Sequence, residues 1–114
     1  MSELFEKACV PCRGGVAPLT PQQIAPLLEQ LDGWSVIENH HLSKTYKFPD
    51  FATALDMVNR VGLVAENEGH HPDIALSWGE VRLDLFTHKI NGLTESDFIL
   101  AAKADRCFSP DGIG

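Results

Sequence analysis

The alternation of apolar and polar positions divides the chain into short helices and strands. Thr20-Pro21 reads as a helix start, with Thr20 as N-cap and proline at the first helical position. Ile24, Leu27, Leu28 and Leu31 follow at helical spacing, and Asp32-Gly33 stops the helix. Pro26 in its interior predicts a kink. Residues 34–39 and 42–48 read as strands, with Leu42, Tyr46 and Phe48 on one face and Lys44 the exception there. Asn39-His40-His41 is expected to turn the chain between them, giving a hairpin with His40 and His41 as solvated turn residues. Asp50 suits the cap of a longer helix. Its main predicted stripe is Phe51, Leu55, Val58 and Gly62 or Ala65, and Met57, Val61 and Val64 widen the apolar surface round a second side. That width marks the helix either as a candidate for self-association or as a broad core face. Gly69 suits a left-handed C-cap, and Pro72 follows.

Ile74, Leu76 and Trp78 then share one face of a strand, and Gly79-Glu80 turns the chain. Val81, Leu83 and Leu85 alternate with Arg82, Asp84 and Phe86 in a half-buried strand running to about His88. Thr94-Glu95-Ser96-Asp97 is similar to a capping box, with Asp97 where Glu or Gln is usual. Phe98, Ala101 and Ala102 provide the last helix with an apolar face. Hairpins separated by helices imply an α+β fold in the order α-β-β-α-β-β-α. The expectation is a four-stranded antiparallel sheet with three helices packed on one face. The expected layout is an N-terminal arm at 1–19, a single domain at 20–108 and a C-terminal tail at 109–114.

A chain of 114 residues fits one domain and excludes an enzyme with a separate cofactor domain. Lys and Arg number 9 against 16 Asp and Glu, a net charge of -7. Such a chain is a poor candidate for direct contact with nucleic acid or an anionic membrane. No run approaches the roughly 20 apolar residues that span a bilayer. The start, Met1 to Lys7, lacks the basic and apolar regions of a secretory signal. Three cysteines, an odd count, argue against a disulfide framework. A reduced, cytoplasmic protein is the expectation. Cys9-Val10-Pro11-Cys12 is a lone CxxC followed by a loop-like Arg13-Gly14-Gly15, a weak pattern for zinc or redox work.

The segment Glu66-Asn67-Glu68-Gly69-His70-His71-Pro72 carries more chemistry. It lies at a helix C-terminus, where partial negative charge favours a protonated imidazole by a few tenths to about 1 kcal/mol. Glu66 and Glu68 are close in sequence to His70, and such neighbours hold a histidine near its switching range. Thr87-His88 follows at the end of the last strand, and Asp97 falls in the first turn of the last helix. A carboxylate facing an imidazole fixes its tautomer, and spacing leaves open whether Asp97 reaches His88. The residues alone permit proton transfer, a metal site of His70, His71, His88 and Glu66, or plain surface polarity round a helix end. No helical His-x-x-x-His pair and no nucleophile elbow is present.

Taken together, Glu66-x-x-x-His70-His71-Pro72, Trp78, Thr87-His88 and Gly92-Leu93-Thr94-Glu95-Ser96-Asp97 resemble the signature of the pterin-4a-carbinolamine dehydratases. Asp32-Gly33-Trp34 and Cys9-x-x-Cys12-x-Gly14-Gly15 are similar to the family as well, so the resemblance runs from Cys9 to Cys107. It implies a single dehydratase domain that turns 4a-hydroxytetrahydropterin into quinonoid dihydropterin and water, in recycling of tetrahydrobiopterin. It implies no metal and no organic cofactor. His70 and His88 match the acid–base histidines, without a choice between acid and base. His71 matches a third site histidine that holds the pterin, and Asp97 and Glu66 match the site carboxylates. Gly69, His70 and His71, with Phe86, Thr87, His88 and Lys89, match the substrate-contact segments. A homodimer or homotetramer through the 50–68 helix or a sheet edge is also expected. The alternative is an oligomeric regulatory module of the same fold acting on a protein partner. All the motif positions are filled, which argues against relatives that have lost catalysis. By strict alternation His88 lies opposite Val81, Leu83 and Leu85, so either the pocket opens on the uncovered sheet face or the strand bends before His88.

Overall fold

The computed structural model describes Leu4, Lys7 and residues 17–108. Most of the expected arm, the Cys9–Cys12 motif within it, and the expected tail at 109–114 lie outside the described residues.

Local hydrogen bonding sets the element boundaries. Helix α1, Pro21–Leu28, starts on a reciprocal capping box: Thr20 Oγ1 accepts from the Gln23 N–H at 3.3 Å and Gln23 Oε1 from the Thr20 N–H at 2.9 Å. The helix ends two residues past Pro26, short of Leu31. Strands β1, Ser35–Ile37, and β2, His41–Lys47, form the first hairpin, with Val36 opposite Leu42. Its turn has positive φ at Glu38 (52°) and Asn39 (56°), and the His40 N–H closes it on the Ile37 carbonyl at 2.8 Å. The turn therefore comes one residue earlier than expected, and His41 is a strand residue.

Helix α2, Phe51–Glu68, is capped by Asp50, whose Oδ1 accepts from the Thr53 N–H at 2.8 Å. That bond is the main cause holding the Asp50 carboxyl below the usual carboxylate range. At the far end Gly69 adopts φ 66°, a left-handed conformation that costs glycine nothing. Strands β3, Asp73–Ser77, and β4, Glu80–Leu85, form the second hairpin, and helix α3, Glu95–Cys107, closes the order. The sheet is antiparallel in the order β1-β2-β4-β3.

Leu42 and Tyr46 of β2 and Val81, Leu83 and Leu85 of β4 face one way and are buried. Ala54, Met57, Val61 and Ala65 of α2 meet them, with Phe98, Ala101 and Ala104 of α3. The buried face of α2 is thus centred on Met57 and Val61, roughly a quarter turn from the stripe expected on sequence. Phe51 and Leu55 remain exposed at 45% and 39%, and Leu63, at 69%, points outward. Edge strand β3 is open too, with Trp78 beside it 68% exposed.

Lys44, the polar residue on the apolar face of β2, has a physical reason. Its Nζ lies 2.8 Å from Asp105 Oδ1 on α3 and 4.8 Å from the Tyr46 ring centroid. Asp105 also accepts from the Trp34 indole N–H, at 3.1 and 3.2 Å, and from the Tyr46 hydroxyl. Burial, then Asp105, pushes the Tyr46 phenol above its ordinary range, so it remains a donor. Asp105→Ala strands these donors at the junction of β2 and α3. It is expected to cost about 2–4 kcal/mol, or roughly 10–20 °C in Tm, measured by thermal unfolding.

Candidate active site

The centre of the site is a buried carboxylate. Asp97 lies in the first turn of α3 with its side chain fully enclosed. Its Oδ2 accepts from the Thr94 N–H at 2.9 Å, the carboxylate half of the capping box, and from the Thr87 hydroxyl at 2.9 Å. The Thr94 hydroxyl lies 3.0 Å from Thr87 Oγ1. Since Thr87 donates to Asp97, it accepts from Thr94, and the chain of protons runs toward the carboxylate.

Oδ1 of Asp97 faces His70 Nε2 at 2.6 Å. His70 is brought there by the end of α2. The left-handed Gly69 lets the His70 N–H close on the Ala65 carbonyl at 3.2 Å, turning the chain out of the helix. The ring is 13% exposed. An ionised carboxylate accepts and cannot donate, so His70 carries a proton on Nε2 and its Nδ1 is the nitrogen with a free lone pair in the neutral ring. The carboxylate of the capping box and the carboxylate that meets His70 belong to the same residue, Asp97.

Glu66 reaches His71 instead, with Oε2 2.5 Å from Nε2. Both side chains are mostly exposed, so the pair adds little to stability.

His88 is reached by a break in the strand. Strand β4 stops at Leu85, Thr87 makes an isolated bridge with Gly92, and His88–Ile90 forms a 3-10 turn closed by Asn91 at φ 51°. Alternation predicts a strand running to about His88; the strand instead ends before it, and the His88 ring lies by Phe86 and Asp73 on the uncovered side of the sheet. It packs on Phe86 with centroids 4.1 Å apart. His88 Nε2 lies 3.7 Å from Asp73 Oδ1, and Asp73 directly follows the His70-His71-Pro72 segment. The 3-10 turn also carries Lys89.

Two residues assigned to a solvated turn belong here. His40 and His41 are half-buried. Because Leu42 pairs with Leu85, His41 falls opposite Phe86 on the uncovered face. The His40 ring centroid is 4.5 Å from that of Phe86, and its Nδ1 is 3.0 Å from His41 Nδ1. His40 Nε2 lies 2.7 Å from Asn91 Oδ1. The β2–β4 pairing, invisible in either hairpin alone, is the signal that would have found them.

The structure therefore joins His70, Asp97, Thr87 and Thr94 as one network, with His71 and Glu66 as a surface pair. Phe86, His88, His40, His41 and Asn91 form a ring-rich cluster. Among the described residues no group of three or more His, Cys, Asp and Glu is arranged to hold a metal ion. A crevice of about 270 Å³ between the C-terminal halves of α2 and α3, lined by Val64, Asn67, Glu68, Lys103, Arg106 and Cys107, shares no residue with these clusters.

Comparison with known proteins identifies the family of the chain. The family model described as pterin 4 alpha carbinolamine dehydratase matches residues 17–107. A protein of Rubrobacter xylanophilus, provisionally named pterin-4-alpha-carbinolamine dehydratase, is 57% identical over 106 residues, 93% of this chain and 99% of that one. A protein of Alkaliphilus metalliredigens with the same provisional name is 51% identical over 107 residues, 93% of this chain and 96% of its own length. Among solved structures, the transcriptional coactivator/pterin dehydratase from Brucella melitensis matches with a TM-score of 0.75 at 33% identity, over 79% of this chain and 97% of that one. A pterin dehydratase-like protein identified as a RuBisCO assembly factor matches with a TM-score of 0.57 at 21% identity, over 66% of this chain and 88% of that one, a likeness of fold alone. No described helix is long and apolar enough to cross a membrane.

Proposed function

The chain belongs to the pterin-4a-carbinolamine dehydratase family, and from that premise we propose that it dehydrates 4a-hydroxytetrahydropterin to quinonoid dihydropterin, in recycling of tetrahydrobiopterin. The C4a–O bond breaks with its electron pair on oxygen, a proton joins that oxygen to form water, and N5 loses its proton as the N5–C4a double bond forms. The reaction needs one proton donor and one acceptor held on a planar ring. The observation that carries the reading is the His70–Asp97 contact at 2.6 Å inside a matched family motif. It supports His70 Nδ1 as the acceptor of the N5 proton. His88 then serves as the donor to the leaving oxygen, with Asp73 as counter-charge when its ring holds a second proton. His71, Phe86, Thr87, Lys89 and Gly69 line the segments that hold the pterin, and Glu66 steadies His71. One domain over residues 20–108 carries these groups, without a metal or organic cofactor.

The test follows the decay of 4a-hydroxytetrahydropterin with and without the purified chain. Acceleration proportional to enzyme concentration is expected, and an unchanged rate would overturn the reading.

The apolar surface left open supports self-association. Phe51, Leu55 and Leu63 on α2 and Ile74 and Trp78 at β3 are exposed large apolar residues on a chain of net charge -7. A second copy of the chain is the proposed cover, as a homodimer or homotetramer. Light scattering is expected to give a dimer or tetramer that Leu63→Asp or Trp78→Asp shifts toward monomer. A monomeric wild-type chain at all concentrations would instead favour a regulatory partner on this face.

A further inference from the structure

The hairpin turn between β1 and β2 grips the turn that presents His88. The His40 ring meets Phe86 at 4.5 Å, and Phe86 meets His88 at 4.1 Å. On its other side His40 Nε2 reaches Asn91 Oδ1 at 2.7 Å, and Asn91 donates its backbone N–H to the His88 carbonyl at 3.2 Å. One ring thus touches both routes to His88: the aromatic neighbour under its imidazole and the residue that closes its backbone turn. The protonation pattern is internally consistent. The Asn91 amide oxygen accepts from His40 Nε2–H, leaving His40 Nδ1 to accept from His41 Nδ1–H at 3.0 Å. His41 in turn is locked in β2 opposite Phe86.

The restraint matters because His88 has little else. Its side chain is 58% exposed, its only described ion partner is Asp73 at 3.7 Å, and it follows the end of the strand. A half-exposed imidazole on a 3-10 turn samples several rotamers unless its neighbours limit them.

We propose that His40 is a positioning residue for His88 in the dehydration, acting through the Asn91 hydrogen bond and the Phe86 ring contact. The inference rests on the functional reading above, in which His88 supplies a proton. A misplacement of about 1 Å at a reacting group costs up to roughly 10²-fold in rate. His40→Ala and Asn91→Gly are each expected to lower kcat about tenfold with little change in KM. Glycine at position 91 keeps the left-handed backbone while removing the acceptor. His40→Gln, which keeps a donor near the position of Nε2, is expected to recover most of the loss. The double variant should lose little more than either single one, because both break the same link.

The second readout is the His88 ring in the NMR spectrum, whose proton signals are shifted by the adjacent Phe86. They should move toward free-histidine values in His40→Ala and return in His40→Gln. An active wild type with full kcat and unmoved His88 signals in both His40→Ala and Asn91→Gly would overturn the inference alone. A wild-type chain that does not accelerate dehydration would overturn the functional reading, and this inference with it.

Discussion

Replacing His70 with alanine is expected to lower kcat for pterin-4a-carbinolamine dehydration by roughly 10²–10⁴-fold, the contribution of one positioned acid or base. The chain should still fold. His70 sits just past the left-handed end of α2, so its side chain supports no helical turn, and its backbone N–H bond to Ala65 is retained. Asp97 keeps the Thr94 N–H and the Thr87 hydroxyl as donors. The expected cost in stability is that of one lost hydrogen bond to a buried carboxylate, about 1–3 kcal/mol. Turnover and thermal unfolding measured on the same preparation separate the two effects. A variant that unfolds early yet turns over at the wild-type rate would remove His70 from the chemistry. His88→Ala is the useful companion, because that exposed side chain can be removed at little cost in stability.

Asp97 is expected to show both kinds of loss, and two substitutions divide them. Asp97→Ala deletes the acceptor of three donors at once: His70 Nε2–H, the Thr87 hydroxyl and the Thr94 N–H. The side chain is wholly buried, so water does not readily replace it. The expected destabilisation is about 3–5 kcal/mol, with Tm lower by roughly 15 °C or more. Asp97→Asn keeps the shape but not the pattern of acceptors. Both sides of the carboxylate accept, and an amide accepts on one side only. With the amide oxygen toward Thr87 and Thr94, the NH2 faces His70 and forces the imidazole proton from Nε2 to Nδ1. The nitrogen proposed to accept the N5 proton is then blocked. Asp97→Asn should therefore lose about 10²–10⁴ in kcat, as when a triad carboxylate is neutralised, with a smaller stability loss than Asp97→Ala. Nitrogen chemical shifts of the His70 ring report the tautomer directly. Full activity in Asp97→Asn, or a ring still protonated on Nε2, would show that the carboxylate has no such role.

The same pair of residues shows what kind of information each level holds. The caps at Thr20, Asp50, Gly69 and Thr94 were all legible in the sequence. A cap is made with groups three or four residues away, so local order contains it. Strand alternation was legible for the same reason: Val81, Leu83 and Leu85 turn inward together on one short run of backbone. The rotation of α2 was not. Phe51 and Leu55 are as apolar as Met57 and Val61, so periodicity cannot choose between adjacent faces. The choice falls to whichever face meets β4 and α3.

The site divides along the same line. The sequence by itself determined the elements, their order and the caps at Thr20, Asp50, Gly69 and Thr94. It also supplied His70, His71, His88, Asp97 and Glu66 as residue types with chemistry, within a motif that marks the family. Only the tertiary structure decided the pairings: Asp97 with His70, Glu66 with His71, and His40 with Asn91 and Phe86 beside His88. Each of the first assignments rests on bonds a few residues long. The contacts of Asp97 and His40 join residues 27 and 51 positions apart, and they exist only once the strand order β1-β2-β4-β3 and the Leu42–Leu85 register are set by burial of one sheet face.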